Sequence, residues 1–159
     1  SDKTASLLST SGAFGARFGG APQFIEVLRE YGEKVGVAFQ VADDVIDLAS
    51  EKADSGKTPG TDLREGVPTL PILLLRQAAA AGDEQAAQAI ALVDADLSTD
   101  EALAKAVEAV RAHAAVHDAW KAARQWADDA IASLAPLPEG TVKQALISFA
   151  DAVVTRVGE

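Results

Sequence analysis

Three aspartates stand close together in an otherwise apolar stretch, FQVADDVIDL, residues 39–48. Asp43, Asp44 and Asp47 follow a DDxxD pattern, so on a helix the first and last carboxylates lie one turn apart. Like charges at that spacing repel each other, and partial burial strengthens the repulsion. A divalent cation removes it, because Mg²⁺ prefers carboxylate oxygens together with water and phosphate oxygens. The pattern predicts magnesium-dependent binding of a phosphorylated ligand.

The residues around the aspartates decide whether they face solvent or a cavity. On a helical projection of residues 35–48, Gln40 and the three aspartates occupy one sector of about 100°, and apolar residues fill nearly all the rest. A helix that is apolar nearly all round is buried. We therefore expect the acidic strip to line a cavity, although a solvated face is the common alternative for a lone DDxxD. Gly32 and Gly36 lie near the same line and predict the close approach of a neighbouring helix.

Positive side chains should accompany a site that binds metal and phosphate. Lys3, followed by Thr4, lies in the first predicted helix, and Lys57 lies in a polar segment ten residues after Asp47. Taken singly, each lysine is an ordinary surface residue. The GKT of residues 56–58 is not a Walker phosphate-binding loop, because position 51 is Glu where that motif requires Gly.

Helices must position these residues, since the sequence contains no strand pattern. Windows rich in Ala, Leu, Glu and Arg with helical periodicity indicate an all-α chain. The predicted helices cover residues 1–15, 22–50, 69–81, 83–93, 99–134 with a break near residue 113, and 140–157. The polar residues 51–66 are a predicted loop. We expect one domain over residues 1–159.

Composition excludes several classes of function. A net charge of −10 and a pI of about 4.6 argue against a nucleic-acid partner. No apolar stretch is long enough to span a bilayer, and a cytoplasmic protein is expected. Without cysteine the chain has no thiol chemistry. His113 and His117 are four residues apart, but no Glu follows His113 and no third ligand is evident, so we expect packing or surface histidines rather than a zinc site.

Three segments together resemble a known family. KTASLL (residues 3–8), YGEKVGVAFQVADDVIDL (residues 31–48) and GKTPGTDLREGVPTLPILLL (residues 56–75) occur in the order found in the C-terminal half of trans-polyprenyl diphosphate synthases. Each segment alone is a weak signal, whereas their fixed order is specific. The resemblance covers essentially the whole chain. It implies an all-α helical bundle of the isoprenoid synthase type, of which this chain is the C-terminal portion.

The resemblance also implies a role for each aspartate. Asp43, Asp44 and Asp47 are similar to the family's second aspartate-rich motif, which holds Mg²⁺ against an allylic diphosphate. Asp43 is the expected direct ligand, while Asp44 and Asp47 act through metal-bound water. The implied chemistry is prenyl transfer: diphosphate leaves the allylic carbon, the alkene of isopentenyl diphosphate attacks the resulting cation, and a proton is lost.

Four further residues correspond to residues that contact the substrate. Lys3 and Lys57 resemble lysines that neutralise the diphosphate, and Gln40 resembles a glutamine that hydrogen-bonds at the diphosphate end. Thr4 resembles a threonine near the developing cation. Val67 departs from the family, because many relatives have lysine at this position, and one positive charge is therefore absent.

Several parts of the family's catalytic apparatus are missing from this sequence. It has one aspartate-rich motif rather than two, no Arg-Arg pair and no isopentenyl diphosphate site, and typical relatives are about twice as long. We therefore expect a C-terminal fragment that is inactive alone and that requires an N-terminal half of the same enzyme as its partner. Because the family's members are mostly homodimers, the resemblance also implies a homodimer. The alternatives are a non-catalytic helical subunit of a prenyltransferase and an all-α interaction domain in which DDVID is accidental. Product chain length stays open.

Overall fold

The computed structural model describes residues 2–49 and 59–155. Within these ranges no strand occurs, and the all-α prediction is confirmed. The helices are α1 (Asp2–Phe18), α2 (Ile25–Ala49), α3 (Thr61–Arg64), α4 (Leu70–Ala80), α5 (Glu84–Val93), α6 (Asp100–Arg111), α7 (Ala114–Ser133) and α8 (Thr141–Thr155), with a 3₁₀ turn at Pro22–Phe24. None of the helices in the described ranges combines the length and apolar character needed to cross a bilayer.

The helices differ from the prediction in two respects, the end of α1 and one additional short helix. α1 continues through Gly12 and Gly15 to Phe18, although glycine weakens a helix interior. It ends where Gly20 adopts a positive φ of 78° and the Ala21 N–H bonds back to the Ala16 carbonyl, a common helix C-terminus. The second difference is α3, a short helix within the segment predicted to be a loop.

The chain divides into two compact units, one formed by Ser1–Ala42 with Ala122–Glu159 and the other by Asp43–Lys121. The divisions fall within α2 and within α7. The sequence predicts one domain over residues 1–159. Whether the two units form one domain is not tested by their separate structures, so this stays a prediction.

Glycines bring α1 and α2 into close contact in the first unit. A Cβ atom placed on Gly36 would lie 2.5 Å from the Ala5 Cα, and one placed on Gly32 would lie 2.5 Å from the Leu8 carbonyl oxygen. Both distances are far below van der Waals contact, so the two backbones approach as closely as they do only because these positions lack a side chain. The predicted close helix approach is confirmed.

In the second unit, α4, α5 and α6 share an apolar core that includes the fully buried Leu75, Leu103 and Val110. Thr99 caps α6, since its hydroxyl accepts a hydrogen bond from the Ala102 N–H, and this cap agrees with the sequence pattern STDE. Local signals therefore fix the starts of these helices, and burial of leucine, valine and alanine fixes their packing.

His113 lies at the predicted break between α6 and α7. Its Nδ1 accepts a hydrogen bond from the Ala115 N–H at 3.0 Å, and its Nε2 lies 3.2 Å from an Asp83 carboxylate oxygen. Asp83 also caps α5 by accepting from the Ala86 N–H, and these contacts hold the pKa of Asp83 below its usual value. The buried imidazole is therefore a packing residue that joins two helix starts.

Tyr31 connects α2 to α8 within the first unit. Its buried hydroxyl donates to the Leu146 carbonyl at 2.7 Å, and burial raises the pKa of Tyr31 to about 12. Replacing Tyr31 by Phe should lower the free energy of unfolding by about 1 kcal/mol at pH 7. Because the folded pKa lies above the unfolded value of about 10, the wild type should also lose stability as the pH rises from about 10 to 12.

Urea unfolding of both proteins at pH 7 and pH 11 measures this effect. Tyr31 is the only tyrosine in the chain, so the Phe variant has no tyrosine titration and should lose less stability between the two pH values. Equal losses in the two proteins would show that folding does not raise the pKa of Tyr31, and equal stability at pH 7 would show that its hydroxyl does not stabilise the fold.

Candidate functional site

The three aspartates lie near the C-terminal end of α2. Asp43 is exposed, whereas Asp44 and Asp47 are half-buried. Val45 and Leu48, on another face of the helix, are each 2% exposed, so this part of α2 packs firmly along one side. The helix is less buried than the sequence predicts, because apolar residues beside the strip, such as Val41, remain half-exposed. The cavity expected along the acidic strip stays a prediction.

Two of the carboxylates each accept a hydrogen bond from the start of a different downstream helix. Asp47 Oδ2 accepts a hydrogen bond from the Asp62 N–H at 3.1 Å, in the first turn of α3, and the Asp47 carbonyl accepts from the Gly60 N–H at 2.9 Å. Asp44 Oδ2 accepts from the Leu70 N–H, the first residue of α4, at 3.4 Å. Both carboxylates therefore bind N–H groups that a helix cannot satisfy itself. The sequence did not predict this second role.

Asp43 differs from its two neighbours. Within residues 2–49 and 59–155 it makes no hydrogen bond or ion pair, and it is exposed. The other adjacent aspartates, Asp128 and Asp129, show the ordinary surface pattern: Asp128 accepts from Arg124 at 3.0 Å, and Asp129 accepts from Gln125 at 2.9 Å. Of the three strip carboxylates, Asp43 is therefore the one that, among the described residues, holds no N–H group of a later helix.

Asp62 is a fourth carboxylate beside the strip. Its pKa is raised, first by burial and then by the negative charges of Asp47, Asp44 and Asp43. Gly60 allows this approach, since its φ is +78° and a side chain there would collide with Val107 of α6. Asp62 belongs to the segment GTDLREG, but sequence reasoning assigned it no individual role. Only the folded contact to Asp47 identifies it.

The donor set fits a hard divalent cation by type, because every candidate ligand is a carboxylate oxygen. Among the described residues, no group of three or more acidic, histidine or cysteine side chains is already arranged around a metal position. Mg²⁺ does not require one, since it commonly takes one or two protein carboxylates and completes its shell with water and phosphate oxygens. Asp43, with Asp44 or Asp47, could therefore hold the ion.

The first unit brings together two more of the candidate residues. The Thr4 hydroxyl donates to Gln40 Oε1 at 3.4 Å, a long hydrogen bond that directs the carbonyl side of the amide towards α1. Lys3 precedes Thr4 and is exposed. Lys57 lies outside the described residues. The expected convergence of Lys3 with the aspartates involves residues of different units, and it stays a prediction.

Asp47 accepts a hydrogen bond from a described residue and Asp43 does not, so we expect their alanine variants to differ in stability. Replacing Asp47 by Ala should lower the free energy of unfolding by about 1 kcal/mol, because the Asp62 N–H loses its acceptor. Replacing Asp43 by Ala should change it by less than about 0.5 kcal/mol, because no contact among the described residues is lost. Urea unfolding of the two variants makes the comparison. Equal destabilisation would contradict a structural role specific to Asp47.

Comparison with known proteins identifies relatives. A profile of the family Polyprenyl synthetase matches residues 1–110. The chain is 39% identical over 159 residues to nonaprenyl diphosphate synthase of Mycobacterium tuberculosis, covering 99% of this chain and 46% of that protein. It is 34% identical to octaprenyl diphosphate synthase of Escherichia coli, covering 97% of this chain and 47% of that protein. It thus spans about half the length of these relatives.

Solved structures agree with the sequence matches. Geranylgeranyl pyrophosphate synthase from Corynebacterium glutamicum, crystallised with calcium and isoprenyl diphosphate, superposes with a TM-score of 0.85 at 36% identity over 99% of this chain and 48% of that one. Polyprenyl synthase from Caulobacter crescentus gives a TM-score of 0.83 at 34% identity, over 98% of this chain and 47% of that one. The fold is of the isoprenoid synthase type. The chain belongs to the polyprenyl synthetase family, whose members are prenyltransferases.

Proposed function

We propose that this chain supplies the second aspartate-rich motif of a polyprenyl diphosphate synthase, which condenses isopentenyl diphosphate with an allylic diphosphate. The proposal rests on a difference in hydrogen bonding among the three aspartates of DDVID. Asp44 and Asp47 are held by backbone N–H groups, while Asp43 is exposed and makes no bond to another described residue. A carboxylate kept available beside two fixed ones suits a metal ligand better than a surface charge.

The chain's own residues would bind and orient the leaving group. Asp43 would hold Mg²⁺, with Asp44 and Asp47 contacting its water shell, and the bound ion supplies positive charge that stabilises departing diphosphate. Lys3 and Lys57 would offset further negative charge on the same group. Thr4 holds Gln40 in place through its hydroxyl, so that the amide is positioned before substrate arrives.

The matched structures support a metal-assisted reaction. The relative from Corynebacterium glutamicum was crystallised with both calcium and isoprenyl diphosphate, so a protein 36% identical to this chain binds a divalent cation and a prenyl diphosphate. Calcium and magnesium both take oxygen ligands. Homodimer formation and a cytoplasmic location belong to the proposal as well.

The chain by itself is expected to bind diphosphate weakly without transferring prenyl groups. It spans 46% of the Mycobacterium tuberculosis relative, and a second aspartate-rich motif is absent from its sequence. The missing motif would come from an N-terminal half of the same enzyme. The interaction-domain alternative predicts no magnesium-dependent binding of diphosphate. A non-catalytic subunit would have no use for the set formed by Asp43, Asp47, Lys3 and Lys57.

Isothermal titration of the chain with inorganic diphosphate, with Mg²⁺ and with excess chelator, tests the binding step. The proposal predicts weak binding that requires Mg²⁺, and absence of binding in both conditions would refute it. A chimera that joins residues 1–159 to the first half of the Mycobacterium tuberculosis enzyme tests catalysis, with labelled isopentenyl diphosphate and farnesyl diphosphate as substrates. A folded chimera that binds diphosphate but transfers nothing would leave the chain with a binding role only.

A further inference from the structure

The C-terminal end of α2 is bound by a side chain of α6 within the second unit. Arg111, in the last turn of α6, donates a hydrogen bond from its Nε to the Leu48 carbonyl. Leu48 follows Asp47 directly and is the second-last residue of α2, so its carbonyl is one of the four that the helix itself cannot satisfy. The bond therefore fixes the turn that carries Asp47.

We propose that Arg111 is a positioning residue for the metal site, because it holds the last turn of α2 where the acidic strip presents its carboxylates to Mg²⁺ and diphosphate. This inference rests on the proposed function and adds to it a residue that lies far along the sequence from the DDVID motif. Arg111 acts through the α2 backbone and is assigned no contact with metal or substrate.

Leu48 is fixed through its side chain as well as through its carbonyl. The side chain is 2% exposed and belongs to the apolar core that also contains Val107 and Val110 of α6. Arg111 follows Val110 directly, so its backbone is anchored in the same core that holds the end of α2. A side chain that extends from a packed helix restrains its partner more precisely than one on a loop.

The charges around this end of α2 explain why a cation is useful there. The C-terminal end of a helix carries partial negative charge and disfavours carboxylates, yet Asp43, Asp44 and Asp47 all lie in the last two turns of α2. The crowding of negative charge is evident at Asp62, whose pKa is raised first by burial and then by these three aspartates. Arg111 brings a positive charge to the C-terminal ends of both α2 and α6. It therefore offsets the repulsion that would otherwise loosen the turn.

The other positive residues of the second unit that the structure describes have ordinary partners. Each pairs with an exposed carboxylate: Arg64 with Asp100, Arg76 with Asp94, Lys105 with Glu101 and Lys121 with Asp118. Within the described ranges, Arg111 is the cation of this unit that bonds to α2. Its planar guanidinium suits the contact, because the Nε–H group points in a fixed direction.

Arg111→Met and Arg76→Met compare two arginines of the same unit. Titration calorimetry with inorganic diphosphate and Mg²⁺ should show about tenfold weaker binding for Arg111→Met, the lower end of the loss that follows removal of a residue that orients metal ligands. Arg76→Met should bind as the wild type does, because Arg76 pairs with Asp94 at the end of α5 and not with α2. Equal weakening in both variants would contradict a role specific to Arg111.

Amide hydrogen exchange separates positioning from general stabilisation. The N–H groups of Gly60 and Asp62 bind the carbonyl and the carboxylate of Asp47, so they report on the end of α2. In Arg111→Met both should exchange at least about fivefold faster, because the turn opens locally. The Ala86 N–H, at the start of α5, is the internal reference and should keep its rate.

Arg111→Lys tests whether the charge and the donated bond cause the effect. Lysine keeps both in a more flexible side chain, so diphosphate affinity should return to within about threefold of the wild type. Binding as weak as that of Arg111→Met would show that neither the charge nor the bond matters.

Two further results would overturn the inference. One is equal diphosphate affinity in the wild type and Arg111→Met. The other is equal acceleration of exchange at Gly60 and Ala86, which would show that Arg111 stabilises the unit as a whole. If the wild type binds no diphosphate, the proposed function fails instead, and exchange at Gly60 and Asp62 still decides whether Arg111 holds α2.

Discussion

Replacing Asp43 by Asn should abolish Mg²⁺-dependent binding of diphosphate to the chain and reduce prenyl transfer in the chimera by roughly 10²–10³-fold, the cost of removing one well-placed electrostatic group. The amide keeps the size of the side chain but removes a negative charge and one strong oxygen ligand. Asp43 has no bond to another described residue, so the fold should survive. Titration calorimetry and steady-state transfer measure the two effects, and circular dichroism verifies the helices.

Asp118→Asn provides the control for Asp43→Asn. Asp118 lies in the same unit, is exposed, and pairs with Lys121 at 3.1 Å, so its replacement changes the net charge by the same amount away from the acidic strip. It should alter neither binding nor transfer. If Asp43→Asn bound diphosphate as tightly as the wild type, or if both variants weakened binding equally, Asp43 could not be the direct metal ligand.

Asp44→Asn and Asp47→Asn separate the two roles of the strip. Each of these residues accepts a backbone hydrogen bond through one carboxylate oxygen, and an amide oxygen can still accept that bond. The variants should therefore fold and should weaken Mg²⁺-dependent binding less than Asp43→Asn. The three residues are all aspartates, so the larger loss of binding expected for Asp43→Asn follows only from their different surroundings in the fold.

The sequence identified the acidic strip because local rules determine it. The spacing of Asp43, Asp44 and Asp47 follows from helix geometry, and the residue type determines the metal preference. Their hydrogen-bond partners could not be predicted, since the Asp62 and Leu70 N–H groups come from later helices and reach α2 only through the fold. Asp62 was missed for the same reason, as its contact with Asp47 depends on the positive φ of Gly60.

The length of α1 shows a related limit of sequence rules. Glycine propensity predicts that the helix ends near Gly15, yet α1 continues to Phe18. Helix packing outweighs a propensity cost of about 1 kcal/mol for a glycine, and the close contact of α1 with α2 requires glycine at Gly12. The sequence did predict close helix approach at Gly32 and Gly36, because these residues recur at the helical period on one line of α2.

Replacing Gly36 by Ala should lower the free energy of unfolding by up to about 2 kcal/mol, because overpacking costs as much as about 3 kcal/mol and alanine offsets about 1 kcal/mol of that cost. The added methyl group would meet backbone atoms of Ala5, which cannot move without shifting α1. This cost exceeds the gain of about 1 kcal/mol that alanine brings to a helix interior. A shift of α1 would also lengthen the Thr4–Gln40 hydrogen bond, already 3.4 Å, so diphosphate affinity should fall together with stability. Urea unfolding and titration calorimetry measure the two quantities.

Gly15→Ala is the matched control, since it makes the same substitution where the structure has room. An added Cβ at Gly15 meets no atom within 4 Å, and the residue lies inside α1. The variant should therefore raise the free energy of unfolding by about 0.5–1 kcal/mol and leave ligand affinity unchanged. If Gly36→Ala stabilised the protein as Gly15→Ala does, the contact between α1 and α2 would not depend on glycine. We expect the free energy of unfolding to fall for Gly36→Ala and to rise for Gly15→Ala. Helix propensity alone predicts a rise at both positions, so the two variants together test the packing of α1 against α2.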